Sequence, residues 1–150
     1  MKKIIPYGRQ YIDKSDIRQV ASALLKDKLT TGELTLKFEK EISKFLECKY
    51  SITCNSGTSA LFIALNVLNL KKGDKIIMPS INFIASYSVA KLIGLKVYLA
   101  DVDRFTGQMR PEDVENCCKK FRIKNFNALV VMYNGGYPQN AEKFKLLKKK

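Results

Sequence analysis

Asn55-Ser56-Gly57-Thr58-Ser59 sits between a short apolar run, Tyr50 to Cys54, and a long apolar segment, Ala60 to Leu70. The first run has the look of a strand and the second of a helix, joined by a turn with one glycine and three hydroxyls. The first amides of a helix have no intrahelical partner, and the helix dipole adds positive potential at that end. A strand, a tight small-residue turn and a helix therefore make a place to hold an anion, and the leading reading is a cradle for the phosphate of a cofactor. A plainer reading stands beside it: Ser56 and Thr58 as capping residues that only start the helix.

Outward from that turn the chain alternates. Strands are expected at Tyr50 to Cys54, Lys75 to Met78, Lys96 to Ala100 and Ala128 to Met132. Between them helices are expected at Ser59 to Asn69, Ile84 to Leu92 with Gly94 as its stop, and Pro111 to Lys120, with a last one after Asn140. Pro111 suits a first helical turn, and Glu112 and Asp113 complement the dipole there. Nearly all-apolar strands alternating with helices indicate an α/β fold with a mostly parallel sheet, covered by helices on both faces. Ahead of this rhythm, Ile17, Val20, Ala21, Leu24 and Leu25 form one apolar stripe behind an Asp13 cap with Asp16 three residues on. Phe38, Ile42, Phe45 and Leu46 form a second, ending near Lys49. These two helices are expected to pack on the sheet from outside. No repeat, linker or domain boundary is visible.

Composition narrows the function classes. With 150 residues and 46% hydrophobic content, the chain can bury a core. No apolar run reaches a membrane span, and Pro6, Tyr7, Gly8 and Arg9 interrupt any signal-peptide core, so no membrane partner and a cytoplasmic location are expected. Cys48, Cys54, Cys117 and Cys118 form no CxxC pair, and without histidine neither a zinc site nor a Cys-His dyad is expected. The net charge of +13 raises nucleic-acid binding, yet only Arg9, Arg18, Arg104, Arg110 and Arg122 of the 27 basic residues are arginines. The lysines read as scattered solvated faces, with Lys143, Lys145 and Lys148 to Lys150 the densest group, and no nucleic-acid partner is expected.

In an open α/β sheet, ligands bind outside the carboxyl ends of the strands. Four loops lie there: the Ser56-Gly57-Thr58 turn, Pro79 to Phe83, the Asp101-Val102-Asp103 segment, and Tyr133 to Asn140. Phe83 reads either as a core residue or as a ring platform for a planar cofactor, whose stacking is worth about 0.5–1.5 kcal/mol. Asp101 and Asp103 read either as turn residues or as ligands of a divalent cation. Thr106 falls one residue too late for the Asp-x-Asp-x-Thr of dehalogenase-type phosphatases; an Asp-x-Asp pair with a metal also serves some nucleotide-sugar glycosyltransferases. GxGxxG after the first strand, GxxxxGK[ST] and GxSxG are all absent, and no Ser-His triad can be built without histidine.

An ordered set of segments resembles the DegT/DnrJ-type (StrS-like) sugar aminotransferases, pyridoxal-phosphate enzymes of the aspartate-aminotransferase fold. The set is Tyr7-Gly8-Arg9-Gln10-Tyr11-Ile12, Leu29-Thr30-Thr31-Gly32, Phe38-Glu39, Asn55 to Leu61, Gly73-Asp74, Pro79 to Ser86 and Asp101-Val102-Asp103. The opening and the Asn-Ser-Gly-Thr-Ser-Ala-Leu run are similar to the branch acting on UDP-4-keto-6-deoxy sugars.

The resemblance implies that residues 1–150 are the N-terminal part of a fold type I large domain. It implies that Gly57, Thr58 and Ser59 bind the phosphate of pyridoxal 5'-phosphate, that Phe83 stacks on its ring, and that Tyr7, Thr31 and Gly32 lie toward the substrate. Glutamate and a nucleotide-linked 4-keto sugar are the implied substrates and a homodimer the implied assembly; Asp101 and Asp103 become structural, with no metal. The family's Schiff-base lysine and the Asp that pairs with the pyridine nitrogen fall beyond Lys150, so no catalytic residue is assigned and this polypeptide alone is expected to be inactive. Val131-Met132-Tyr133-Asn134-Gly135-Gly136 departs from the family's His-x-Tyr-Gly. Two other classes stay open: a metal-dependent enzyme on nucleotide sugars or phosphate esters using Asp101 and Asp103, and a non-catalytic paralogue acting as a binding module.

Overall fold

The computed structural model describes residue 6 and residues 8–147. They divide into two compact units at Thr53–Cys54, although the sequence shows no boundary there. The first unit holds helices α1 (Lys14–Leu24) and α2 (Glu33–Phe45). Asp13 caps α1 as expected: its carboxylate accepts from the Ser15 and Asp16 amides at 2.6 and 3.1 Å, and the Asp16 carboxylate accepts from the Asp13 amide at 2.9 Å. Neither helix buries a residue, and their apolar stripes stay open, Ile17 and Val20 among them.

Tyr50 to Cys54, expected as a strand, is not one. A strand exists by pairing, and none lies beside this segment among the described residues. The Thr53 amide and hydroxyl instead donate to the Glu39 carboxylate of α2 at 2.7 and 2.8 Å, and Ile52 is 75% exposed.

The second unit is the α/β body. Helix α3 (Gly57–Val67) leads into β1 (Lys75–Pro79), α4 (Ala85–Ile93), β2 (Lys96–Ala100), α5 (Pro111–Lys120), β3 (Ala128–Leu129) and α6 (Ala141–Leu147). The strands run parallel in the order β2-β1-β3, with Lys75 opposite Lys96 and Ile76 opposite both Val97 and Ala128. β3 is shorter than the expected Ala128 to Met132, although the Val130 amide still donates to the Ile77 carbonyl at 2.9 Å. Gly94 ends α4 at φ 87°, a left-handed cap that favours glycine.

Alternation along β1 builds two cores. Ile76 and Met78 meet Leu65 of α3 and Val89 and Ala90 of α4 on one face. Ile77 meets Val114 and Cys117 of α5 and Phe144 of α6 on the other. A central strand buried on both sides accounts for the unbroken apolar run of its sequence.

Candidate cofactor site

α3 starts at the carboxyl edge of the sheet because its apolar residues pack beside α4 while Ser56 breaks out as the N-cap. The Ser56 hydroxyl oxygen accepts from the Ser59 amide at 3.1 Å. The Ser59 hydroxyl in turn donates to Asn55 Oδ1 at 2.6 Å and accepts from Ser56 Oγ at 3.1 Å. Asn55, Ser56 and Ser59 thus lock the turn by themselves. The Ala60 amide closes the first helical bond onto the Ser56 carbonyl at 3.0 Å. The Gly57 and Thr58 amides, first and second of the helix, have no recorded partner among the described residues. Of the two residues in the capping reading, Ser56 is the cap; Thr58 is not, and its amide and that of Gly57 stay unpaired among the described residues.

Gly57 stands in open space, as Gly8 does. A Cβ built there meets nothing within 4 Å, and its φ is outside the left-handed region. The chain's own packing does not require glycine at this place; the space is open on the ligand side. Gly32 contrasts with it, since a Cβ there would come within 3.1 Å of the Lys28 carbonyl oxygen.

From Gly57 and Thr58 a cleft of about 580 Å³ extends along Ala60, Leu61 and Ala64 of α3 to Phe83 and Ala85. Its floor is apolar, and its one aromatic ring, Phe83, is 72% exposed. A core Phe would be buried; this one stands exposed at the rim of the cleft. Next to it in sequence, the buried Asn82 Nδ2 has no partner in the described structure, a donor whose isolation costs about 1–3 kcal/mol unless something accepts from it. Two unpaired amides at a helix N-terminus, open space at Gly57 and an exposed ring fit a planar group bearing a phosphate, the chemistry of pyridoxal phosphate. Ala60 and Ala64, at i and i+4, went unremarked in the sequence; their small side chains leave room for the cleft.

The structure gathers Gly57, Thr58 and Phe83 around one cleft and sets Ser59 just behind them with its polar groups engaged. Thr31 and Gly32 belong to the first unit, where Thr31 has a positive φ of 49°, uncommon for a β-branched residue. Tyr7 lies outside the described residues.

Asp103 serves its own loop. One carboxylate oxygen accepts from the Phe105 amide, the Thr106 amide and the Thr106 hydroxyl at 3.1, 2.9 and 3.0 Å. The other faces Arg110 at 3.5 Å. Hydrogen bonding from the Thr106 amide, more than any other contact, holds its pKa below the ordinary aspartate range. Arg110 also grips the buried Asp113 through two bonds of 2.9 and 3.0 Å and reaches Glu112 at 2.7 Å, which strengthens its hold on its proton. Gln108 extends this scaffold to the next loop, donating to the Tyr137 carbonyl at 2.9 Å.

The model of the DegT/DnrJ/EryC1/StrS aminotransferase family matches residues 10–147. The protein MJ1066 of Methanocaldococcus jannaschii is 30% identical over 137 residues, 91% of this chain and 34% of that one. A putative sugar aminotransferase of Streptococcus pneumoniae, Spr1654, is 29% identical with a TM-score of 0.69 over 75% of this chain and, in its PLP-form, 29% of its own. The aminotransferase of Psychrobacter cryohalolentis is 27% identical with a TM-score of 0.81 over 96% of this chain and 36% of its own. The chain spans about a third of the length of these relatives. With the turn at the start of α3, the two-faced parallel sheet and a match of the family model over residues 10–147, this chain belongs to the DegT/DnrJ/EryC1/StrS aminotransferase family.

Proposed function

We propose that this chain is the cofactor-anchoring N-terminal part of a pyridoxal-phosphate-dependent aminotransferase that moves an amino group from glutamate to a nucleotide-linked 4-keto sugar, in the cytoplasm and as a homodimer. The observation that carries the reading is the cleft between Gly57-Thr58 and Phe83: two helix-terminal amides unpartnered among the described residues, open space at Gly57 and an exposed ring. Family membership supports it, as do the PLP- and PMP-forms of the pneumococcal sugar aminotransferase, which are the amino-free and amino-bearing states of one cofactor.

When bound, the cofactor supplies an electron sink and carries the amino group. The residues here supply binding and orientation. The Gly57 and Thr58 amides and the Thr58 hydroxyl hold the phosphate. The Ser56–Ser59–Asn55 lock holds the turn that carries those amides, and the Phe83 ring would give the pyridine an apolar face to lie against. Tyr7, Thr31 and Gly32 are assigned to the substrate side, and Asp103 to shaping its loop. No reactive lysine is assigned among these residues.

The test is an assay of the chain with pyridoxal phosphate, glutamate and a UDP-4-keto-6-deoxy sugar, reading 2-oxoglutarate. Cofactor binding without turnover is expected. Turnover by these 150 residues would overturn the assignment of the reactive lysine to another part of the protein, and absence of cofactor binding would overturn the anchor.

A further inference from the structure

We infer that the edge of the sheet opposite the cofactor cleft is a docking face for an anionic lipid surface. In sequence order the lysines look scattered; the fold collects them. Parallel strands joined by helices place every strand start, and the end of every helix that precedes one, at the same edge. Lys75 and Lys96 open β1 and β2 and are register partners. Lys72 lies against Gly94, close enough that a Cβ there would sit 3.0 Å from its Cγ. Lys71, Lys91 and Lys124 are exposed on the segments that enter these strands. The ion pairs of Asp103, Glu112, Asp113 and Glu142 lie on segments at the other edge, where α5 and α6 begin, while Asp74, beside Lys75, accepts from the Lys71 amide at 2.8 Å.

Lysines in the last turns of α4 and α5 complement the helix dipoles, which explains Lys91, Lys119 and Lys120 without any partner. It does not explain Lys75 beside Lys96, since like charges directly opposite in a sheet are destabilising. Nor does it explain the apolar side chains among them: Leu92 is 76% exposed, Leu68 56% and Phe121 47%. Each stands at or just past a helix C-terminus, and Lys120 Nζ lies 5.6 Å from the centre of the Phe121 ring.

Lysine charge interleaved with leucine and phenylalanine matches the boundary between anionic headgroups and acyl chains. Nucleic-acid recognition would draw on arginine and on polar readers of base edges, and Arg122 is the arginine this edge offers. A peripheral contact needs no spanning helix, and none of the described helices is long and apolar enough to cross a membrane.

The experiment is vesicle co-sedimentation with phosphatidylcholine alone and with phosphatidylcholine containing phosphatidylglycerol. Each basic residue near such a surface is worth roughly fivefold in partitioning, so the triple variant Lys72→Glu, Lys91→Glu, Lys96→Glu should lose on the order of a hundredfold or more on the anionic vesicles. The control Arg104→Glu, Lys143→Glu, Lys145→Glu, on segments at the other edge of the same unit, has the same net charge and should keep its binding within about threefold. Leu92→Ser should weaken binding several-fold without changing its salt dependence, and it decides the matter if circular dichroism shows that the triple variant has lost its fold. Equal binding to both vesicle types, equal loss in triple and control, no effect of Leu92→Ser, or displacement from vesicles by a short DNA duplex at equal phosphate would each overturn the inference.

Discussion

Replacing Gly57 with alanine separates the needs of the fold from those of the ligand. On the protein side the substitution meets no obstacle: a Cβ there has nothing within 4 Å, and the backbone is not in the left-handed region. Alanine in a helix is favoured over glycine by up to about 1 kcal/mol. That corresponds to a rise in Tm of no more than about 4–8 °C in a domain of about 100 residues, and less at a first helical position. On the ligand side the methyl group enters the space beside the Gly57 and Thr58 amides. Displacing one phosphate oxygen from one amide removes a hydrogen bond to a charged group, about 1.5–3 kcal/mol, or roughly ten- to hundredfold in affinity. Pyridoxamine phosphate is the right probe, because it cannot form imines with the many surface lysines. Fluorescence titration of parent and variant, with thermal unfolding followed by circular dichroism, should show a weaker ligand and an unchanged or slightly more stable protein. Undiminished affinity in a folded Gly57→Ala chain would refute the cradle, and a loss of several degrees in Tm would refute the claim that the chain itself does not need glycine there.

Phe83→Ala should weaken pyridoxamine phosphate about two- to tenfold, the value of one offset ring contact, and leave urea unfolding nearly unchanged because the ring is largely exposed. Ile77→Ala should do the reverse in stability: its side chain is fully buried in the α5–α6 core, and a loss of about 2–5 kcal/mol in urea denaturation is expected. Asp103 and Glu39 are both more acidic in the fold, mainly through the Thr106 and Thr53 amides. Their contribution is therefore complete above the ordinary carboxylate range and is lost as pH falls through it toward the lowered folded values. Stability should be flat from neutral pH to about 5 and decline below about 4.5, and Asp103→Asn should flatten that decline. Maleimide should label Cys48 and Cys54 ahead of Cys117, which is buried and whose thiol is pushed up by that burial; mass spectrometry of partially labelled protein gives the order.

Local rules carried much of the fold. Asp13 with Asp16, Pro111 with Asp113, and Gly94 each place a helix end by chemistry confined to a few residues, and β1 and β2 were legible as apolar runs between helices. Tyr50 to Cys54 has the same apolar character, yet whether it becomes a strand depends on a neighbour, which no local pattern specifies. Met132 likewise falls outside β3 because the pairing with β1 ends, not because its side chain changes. At the site, Gly57 and Thr58 could be read from turn chemistry, and Phe83 from its place on the adjoining loop. The inward use of Ser59 could not be read, since its hydroxyl has equal reason to bind a ligand or Asn55 until the turn is closed. The gathering of the Lys71 to Lys75 group, Lys91 with Lys96, and Lys124 at one edge comes from topology, since intervening strand and helix residues separate these groups along the chain.

The most direct measurement compares pyridoxamine phosphate with pyridoxamine on the 15N-labelled chain, following backbone amide shifts. Saturable shifts of the Gly57 and Thr58 amides with the phosphorylated ligand, and none of comparable size with the other, are expected. Equal responses to the two ligands, or phosphate-dependent shifts at Lys72 and Lys96 with Gly57 and Thr58 unmoved, would contradict the assignment of the Asn55–Ser59 turn as the phosphate anchor.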